Sequence, residues 1–153
     1  MTRGNARELA VHLIYAREFT GDEPEMVIAT RLEKEYYNNL SQENSVYKDR
    51  PSHVQRAYID SVVIGVSNRI AELNEIIGKF SIGWDISRIS KLTRAILQLA
   101  IFEIQNIDDV PTGVAISEAV RIVKLYDGEE AGSFVNGILG SYARSLTLLE
   151  VDS

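Results

Sequence analysis

The sequence predicts an all-α protein, folded as a compact single-domain helical bundle over residues 1–153. Apolar residues recur at three- and four-residue spacings through most of the chain, and the alternation typical of β-strands is nearly absent. The composition, 45% hydrophobic and 25% charged, is that of an ordinary globular protein. A chain of 153 residues can bury one substantial core and fits one domain better than two.

The first predicted helix starts close to the N-terminus and should end near residues 20–22. Thr2 and Asn5 are alternative N-caps, and Asn5 stands at capping-box spacing from Glu8. Its apolar stripe consists of Ala6, Leu9, Ala10, Leu13 and Ala16.

Pro24 can open a second helix at its first turn. The apolar positions of that helix are Met26, Val27, Ala29, Leu32 and, if it extends so far, Tyr36. The polar stretch 38–51 is rich in Asn, Ser, Gln and Glu and is predicted to be a long exposed loop. Such loops are uncommon in compact domains, so this one is either functional or a tolerated insertion, and we favour the insertion.

Residues 52–79 form one long periodic segment, which predicts a helix followed by a break at 81–85. Trp84, the only tryptophan, is expected to fill the core at that break. Ser87 or Ser90 caps the next helix, which is apolar nearly all round and is therefore expected to be central.

Residues 108–111, which end in a proline, should terminate the central helix. A further helix should end at residues 126–128, where Gly128 supplies a glycine stop. The last predicted helix carries Phe134, Val135, Ile138, Leu139, Tyr142 and Leu146.

The sequence argues against several classes of protein. There is no cysteine, which excludes disulfides and cysteine-ligated metals. The N-terminus lacks the apolar core of a signal peptide, and no apolar run approaches the roughly 20 residues of a membrane span. His12 and His53 lie in different segments, and no nucleophile, base and orienting group stand together. We therefore expect a cytoplasmic protein with no catalytic residues, metal site or cofactor.

The net charge of −6 argues against a protein that coats nucleic acid through a large basic surface. Any nucleic-acid binding must depend on positive charge gathered on one local patch of the surface. Arg3 and Arg7 share one face of the first helix, and Tyr15 follows about 80° round it. Two guanidinium groups and one ring could hold a phosphate and stack a base. Spacing alone favours the ordinary alternative, with Tyr15 in the core and both arginines solvated.

Four stretches together resemble the NusB family of bacterial transcription antitermination factors. In chain order they are ARELA at 6–10 with Ile14 and Tyr15, SIGWDISRI at 81–89 leading into LTRAILQLAIFEI at 92–104, VPTGVAISEAV at 110–120, and FVNGIL at 134–139. The last two are the most specific, and the order covers nearly the whole chain.

The resemblance implies an all-α fold of about seven helices and a binding function without catalysis. Family members bind the boxA element of nascent single-stranded RNA together with NusE, a ribosomal small-subunit protein. The complex then joins the RNA polymerase elongation complex and supports ribosomal RNA transcription. Assembly of this kind is cooperative, because each partner raises the apparent affinity of the other.

The resemblance also implies an RNA-binding set of residues. Arg3 and Arg7 match the basic N-terminus of the family, Tyr15 its aromatic position on the first helix, and Lys124 a later basic position. Glu130 matches the acidic turn beside the RNA, and Phe134 is equally good as a core residue. The full set is Arg3, Arg7, Tyr15, Lys124, Tyr126, Glu130 and Phe134.

This chain departs from the family pattern at several basic positions. Gly4 and Asn5 interrupt the N-terminal run of basic residues. Ser133 replaces the basic residue that usually precedes FVNGIL, and Gln98 replaces a frequent arginine. Fewer positive charges mean fewer phosphate contacts and a shallower salt dependence. We therefore expect weak RNA binding by the isolated protein, rescued by NusE.

Three alternatives remain open from the sequence. The thinned arginine cluster suits a protein-interaction scaffold that has weak or lost RNA binding. NusB-like domains also precede RNA cytosine methyltransferase domains, but no cofactor-binding unit occurs up to Ser153, so we do not expect that enzyme itself. Some relatives form homodimers that could cover the RNA face.

Overall fold

The computed structural model describes residues 1–81, 83 and 89–152, with side chains as far as residue 148. The regular secondary structure of the described residues is entirely helical, with no strand, which confirms the predicted all-α class. They divide into two compact units, residues 1–68 and 69–153. The α-helices are α1 (Arg3–Thr20), α2 (Pro24–Arg31), α3 (Lys34–Leu40), α4 (His53–Asn68), α5 (Ile70–Phe80), α6 (Lys91–Asn106), α7 (Thr112–Asp127) and α8 (Glu129–Asp152).

In the first unit, α1 packs against α2 and α4, and α2 also packs against α4. Thr2 is the N-cap of α1, because its hydroxyl accepts a hydrogen bond from the Asn5 backbone N–H at 3.0 Å. Gly21 ends α1 in the left-handed conformation, with φ of 70°. The predicted apolar stripe of α1 is buried throughout: Ala6, Leu9, Ala10, Leu13 and Ala16.

The prediction of one exposed loop over 38–51 was wrong. Helix α3 runs to Leu40, and a short 3₁₀ helix, Ser45–Tyr47, follows. Tyr37, Val46 and Tyr47 are buried. These few apolar side chains are outnumbered by polar neighbours, so the average polarity of the segment hid their contribution to the core.

The second helix begins at Pro24 as predicted but ends at Arg31. Of its predicted apolar positions, Val27 and Leu32 are buried but Met26 is 58% exposed. Ile28, which was not predicted, is buried. The periodic segment 52–79 is likewise two helices, α4 and α5, which are separated at Arg69. Arg69 leaves the helical region with φ of −121° and ψ of 21°, and the second unit begins there.

In the second unit, α6 packs against α5, α7 and α8, as expected of a central helix. Ser90 is its N-cap, since the Ser90 hydroxyl accepts a hydrogen bond from the Thr93 N–H at 3.0 Å. Gly128, with φ of 91°, ends α7 as predicted, and α8 begins at the next residue. The predictions for Trp84 and Ser87 lie outside the described residues.

No helix within the described part of the chain is long and apolar enough to cross a membrane. The organisation of residues 1–153 as a single domain stays a prediction.

Candidate nucleic-acid interface

In the first unit, Arg3 and Arg7 flank the ring of Tyr58 on α4. The guanidinium carbon of Arg3 lies 4.2 Å from the ring centroid, and that of Arg7 lies 6.0 Å from it. The two arginines therefore share a face of α1, as their spacing predicts. That face is directed towards α4.

The two arginines differ in exposure, and this difference separates their roles. Arg3 is exposed and covers one face of a ring that is itself only 6% exposed. Arg7 is 4% exposed. A guanidinium on an aromatic face is attracted by the ring quadrupole, so Tyr58 orders the Arg3 side chain while leaving it open to solvent. Arg3 is thus the arginine of this pair that can meet a phosphate directly.

Tyr15 lies half-buried further along α1, and its ring contacts Phe19 one turn later. The two ring centroids are 4.7 Å apart and the planes meet at 70°, an edge-to-face arrangement. Phe19 is 57% exposed. The second half of α1 therefore presents an aromatic pair at the surface, which is the kind of group on which nucleic-acid bases stack.

In the second unit, Lys124 lies on the last turn of α7 and reaches the first turn of α8. Its Nζ is 3.3 Å from Glu129 Oε2, and both side chains are exposed, by 44% and 86% respectively. Such an exposed ion pair contributes little to folding, so a phosphate can replace the carboxylate at small cost.

Tyr126 and Glu130 lie on either side of the turn at Gly128 that joins α7 to α8, and Phe134 follows further along α8. Tyr126 is 37% exposed and Glu130 is exposed. Phe134 is 7% exposed, so it is mainly a core residue. A ligand at this turn would therefore meet the ring of Tyr126 far more than that of Phe134.

Asp127 fixes this turn to the start of α6. Its Oδ2 accepts hydrogen bonds from the Ser90 hydroxyl, at 2.6 Å, and from the Thr93 hydroxyl. A carboxylate is disfavoured at the C-terminus of its own helix by the helix dipole and favoured at the N-terminus of another. Asp127 meets both conditions at once, because it ends α7 and lies beside the N-terminus of α6.

Three residues that shape these surfaces were not predicted from the sequence: Phe19, Tyr58 and Asp127. Phe19 carried a usable signal, since it follows Tyr15 by four residues on a helix. Tyr58 lies in the periodic segment 52–79, where nothing in the local pattern indicates its contact with Arg3. The hydrogen bonds of Asp127 join residues on different helices, and no local pattern in the sequence indicates them.

No group of three His, Asp or Glu side chains in the described ranges is placed to hold a metal ion. The fold and the candidate interface together define a small all-helical protein that presents basic and aromatic side chains on helix surfaces.

The chain belongs to the NusB family, whose sequence profile matches residues 4–144. The transcription antitermination protein NusB of Acetivibrio thermocellus is 45% identical over 144 residues, which are 94% of this chain and 90% of that protein. The protein of the same name from Sorangium cellulosum is 33% identical over 151 residues, 98% of this chain and 97% of that protein.

Solved structures show the same fold. T. maritima NusB superposes with a TM-score of 0.76 at 24% identity, over 94% of this chain and 92% of that one. A crystal structure of the antitermination factors NusB and NusE in complex with dsRNA gives a TM-score of 0.72 at 24% identity, over 94% of this chain and 96% of that one.

Proposed function

We propose that this protein is a cytoplasmic transcription antitermination factor. It binds boxA-type single-stranded RNA cooperatively with NusE and joins the RNA polymerase elongation complex, and so supports ribosomal RNA transcription. The observation that carries the proposal is the 45% identity to an antitermination protein over 94% of the chain. The similar fold of a NusB crystallised with NusE and dsRNA supports the choice of partners.

In the first unit, the RNA contacts are Arg3 and the ring pair of Tyr15 and Phe19. Arg3 is exposed and ordered by Tyr58, so it contributes a phosphate contact with little loss of side-chain freedom. Tyr15 and Phe19 contribute a surface for base stacking. Arg7 is too deeply buried to contribute more than long-range positive charge unless binding moves it.

In the second unit, Lys124 and Tyr126 make the corresponding contacts, and Phe134 supports them from the core. Lys124 exchanges Glu129 for a phosphate when RNA binds. Glu130 stands in the same turn as an exposed negative charge, which disfavours phosphates that approach too closely. Like charge of this kind limits where the RNA backbone can lie.

The test is the binding of a labelled boxA-type single-stranded RNA, with and without NusE, followed by fluorescence anisotropy. Arg3→Ala should weaken binding by about fivefold, the effect of losing one charge-assisted contact at the surface. Arg56→Ala is the matched control, because Arg56 pairs with Asp60 on its own helix, 3.1 Å away, and lies about 200° round α4 from Tyr58.

If Arg3→Ala and Arg56→Ala bind RNA alike, the assigned surface of the first unit is wrong. Arg7→Ala serves less well, because removal of a side chain that is 4% exposed also lowers stability. A double-stranded RNA of the same sequence belongs in the same series, because the similar NusB–NusE complex contains dsRNA.

A protein-interaction scaffold of the same fold is the second candidate function. The burial of Arg7 and the net charge of −6 favour it. The scaffold would be established in place of the antitermination factor if the protein binds NusE but binds no RNA, whether NusE is present or absent. Sedimentation of the free protein tests the homodimer that could cover the RNA surface.

A further inference from the structure

Gly132 lies inside helix α8, at a position where the backbone does not require glycine. Its N–H donates a hydrogen bond to the Gly128 carbonyl at 3.2 Å, and its φ is not positive. Helix propensity alone therefore favours alanine at this position. The surroundings of residue 132 show what a side chain at this position would meet.

A side chain there would meet that of Lys124. A Cβ atom on residue 132 would lie 2.8 Å from Lys124 Cε and 2.9 Å from Lys124 Cγ. Both distances are shorter than carbon atoms tolerate. Cγ is the first atom beyond Cβ in lysine, so a rotation at the far end of the side chain cannot relieve the overlap. The whole side chain would have to turn about χ1 and leave the first turn of α8.

Two observations describe where the Lys124 side chain lies. Its stem lies along the space above Gly132, and its ammonium group lies 3.3 Å from Glu129 Oε2. A free lysine side chain has several rotatable bonds and loses that freedom when it is ordered on a ligand. A stem that is already in place reduces this loss, while the exposed pair with Glu129 leaves the ammonium group available for exchange.

We propose that Gly132 is a positioning residue for Lys124: the absence of a side chain at residue 132 admits the lysine stem onto the first turn of α8 and so sets where the ammonium group meets an RNA phosphate. The inference rests on the proposed role of Lys124 in RNA binding. It deepens that role by naming the residue through which the fold places this cation.

The chain offers a matched control in the same helix. Gly137 also lies within α8, and a Cβ atom there would have no heavy atom within 4 Å. Gly137→Ala therefore adds the same methyl group and gains the same helix propensity without touching Lys124. We expect Gly137→Ala to raise the Tm by about 2–4 °C and to change RNA affinity by less than about twofold.

The experiment is a double-mutant cycle with Gly132→Ala, Lys124→Ala and the combined variant, each in the full chain. Thermal unfolding and binding of boxA-type single-stranded RNA in the presence of NusE are measured for every protein. We expect Lys124→Ala and Gly132→Ala each to lower RNA affinity by about fivefold, and the combined variant to be no weaker than Lys124→Ala. Gly132→Ala should raise the Tm more in the Lys124→Ala background, where the overlap is gone, than in the wild type.

Two results would overturn the inference. One is a loss of RNA affinity in the combined variant that equals the product of the losses in the two single variants. Gly132 would then act independently of the lysine. The other is an equal change in Tm on adding Gly132→Ala to both backgrounds, which would mean that the two residues do not meet. If Lys124→Ala leaves RNA affinity unchanged, the RNA role of Lys124 fails, and the Tm cycle separately reports whether Gly132 places the lysine.

Discussion

His12 lies half-buried on α1, with its Nδ1 2.8 Å from the Tyr47 hydroxyl. Burial, and to a lesser extent the positive charge of Arg31, lower the pKa of His12 from 6.5 to about 4. The imidazole is therefore neutral in the folded protein near pH 7. The imidazole fills the space between α1 and the 3₁₀ helix and joins the two by its hydrogen bond with Tyr47.

This lowered pKa predicts a loss of stability in weak acid. Above pH 6.5 neither the folded nor the unfolded state protonates His12, so the group adds no pH dependence. Below pH 6.5 His12 becomes protonated in the unfolded state, whereas in the folded state it stays neutral down to about pH 4. Stability therefore falls as the pH is lowered across that interval. Relative to His12→Gln, the wild type should lose about 2–3 kcal/mol of unfolding free energy between pH 7 and pH 4.5.

Urea unfolding at the two pH values measures this difference. His53→Gln is the control, because His53 is exposed at the start of α4. If His12→Gln and His53→Gln lose the same free energy between pH 7 and pH 4.5, the neutral buried state of His12 is wrong.

At the scale of elements, the segment from α3 to the 3₁₀ helix shows how a polar stretch becomes part of a core. Tyr37 is fully buried, and its hydroxyl donates hydrogen bonds to the carbonyl of Asp49, at 2.6 Å, and more weakly to that of Val46, at 3.4 Å. The guanidinium of Arg50 donates a hydrogen bond to the Leu32 carbonyl at 2.9 Å. Tyr37 thus anchors the C-terminal end of the segment, and the bond between Arg50 and Leu32 joins the residues that flank the segment.

We expect Tyr37→Phe to lower the free energy of unfolding by about 1–2 kcal/mol, because it leaves the Asp49 carbonyl without its donor. Amide hydrogen exchange should quicken over residues 41–49 before it changes in α1. Tyr36→Phe is a matched control, since the neighbouring Tyr36 side chain is 38% exposed. Equal stability of the two variants, with unchanged exchange over 41–49, would show that the segment is not held by Tyr37.

At the scale of the whole molecule, the net charge of −6 limits how RNA can be bound. Long-range attraction to an RNA backbone is weak for an acidic protein, so binding must come from a few local contacts. Arg3 and Lys124 are the exposed cations of the predicted set. Under the proposed function, NusE would supply the rest of the binding free energy, and thermodynamic linkage would make the two affinities depend on each other.

The salt dependence of RNA binding tests this limit. With two or three phosphate contacts, the slope of log affinity against log salt should be no steeper than about −2 for the isolated protein. The slope should become steeper when NusE is added and contributes its own contacts. A steep slope for the isolated protein would mean that a larger basic surface forms than Arg3 and Lys124 provide.

Local signals in the sequence determined most of the helices. Each helix-end signal lies within one turn of the end that it defines, so it could be identified without knowing the fold. These signals are Thr2, Pro24, Ser90 and Gly128. The break at Arg69 carries no such signal, because neither glycine nor proline stands there and the apolar period continues through it.

The sequence by itself therefore determined the all-α class, the family and the residue types of the candidate interface, since these depend on periodicity, caps and motifs along the chain. Only the tertiary structure decided which of those residues reach the surface. Arg7 is buried beside Tyr58, Arg3 is exposed on the same ring, and Lys124 lies above Gly132. Each of these outcomes depends on a neighbouring helix, and burial is a property of such non-local packing rather than of the residue alone.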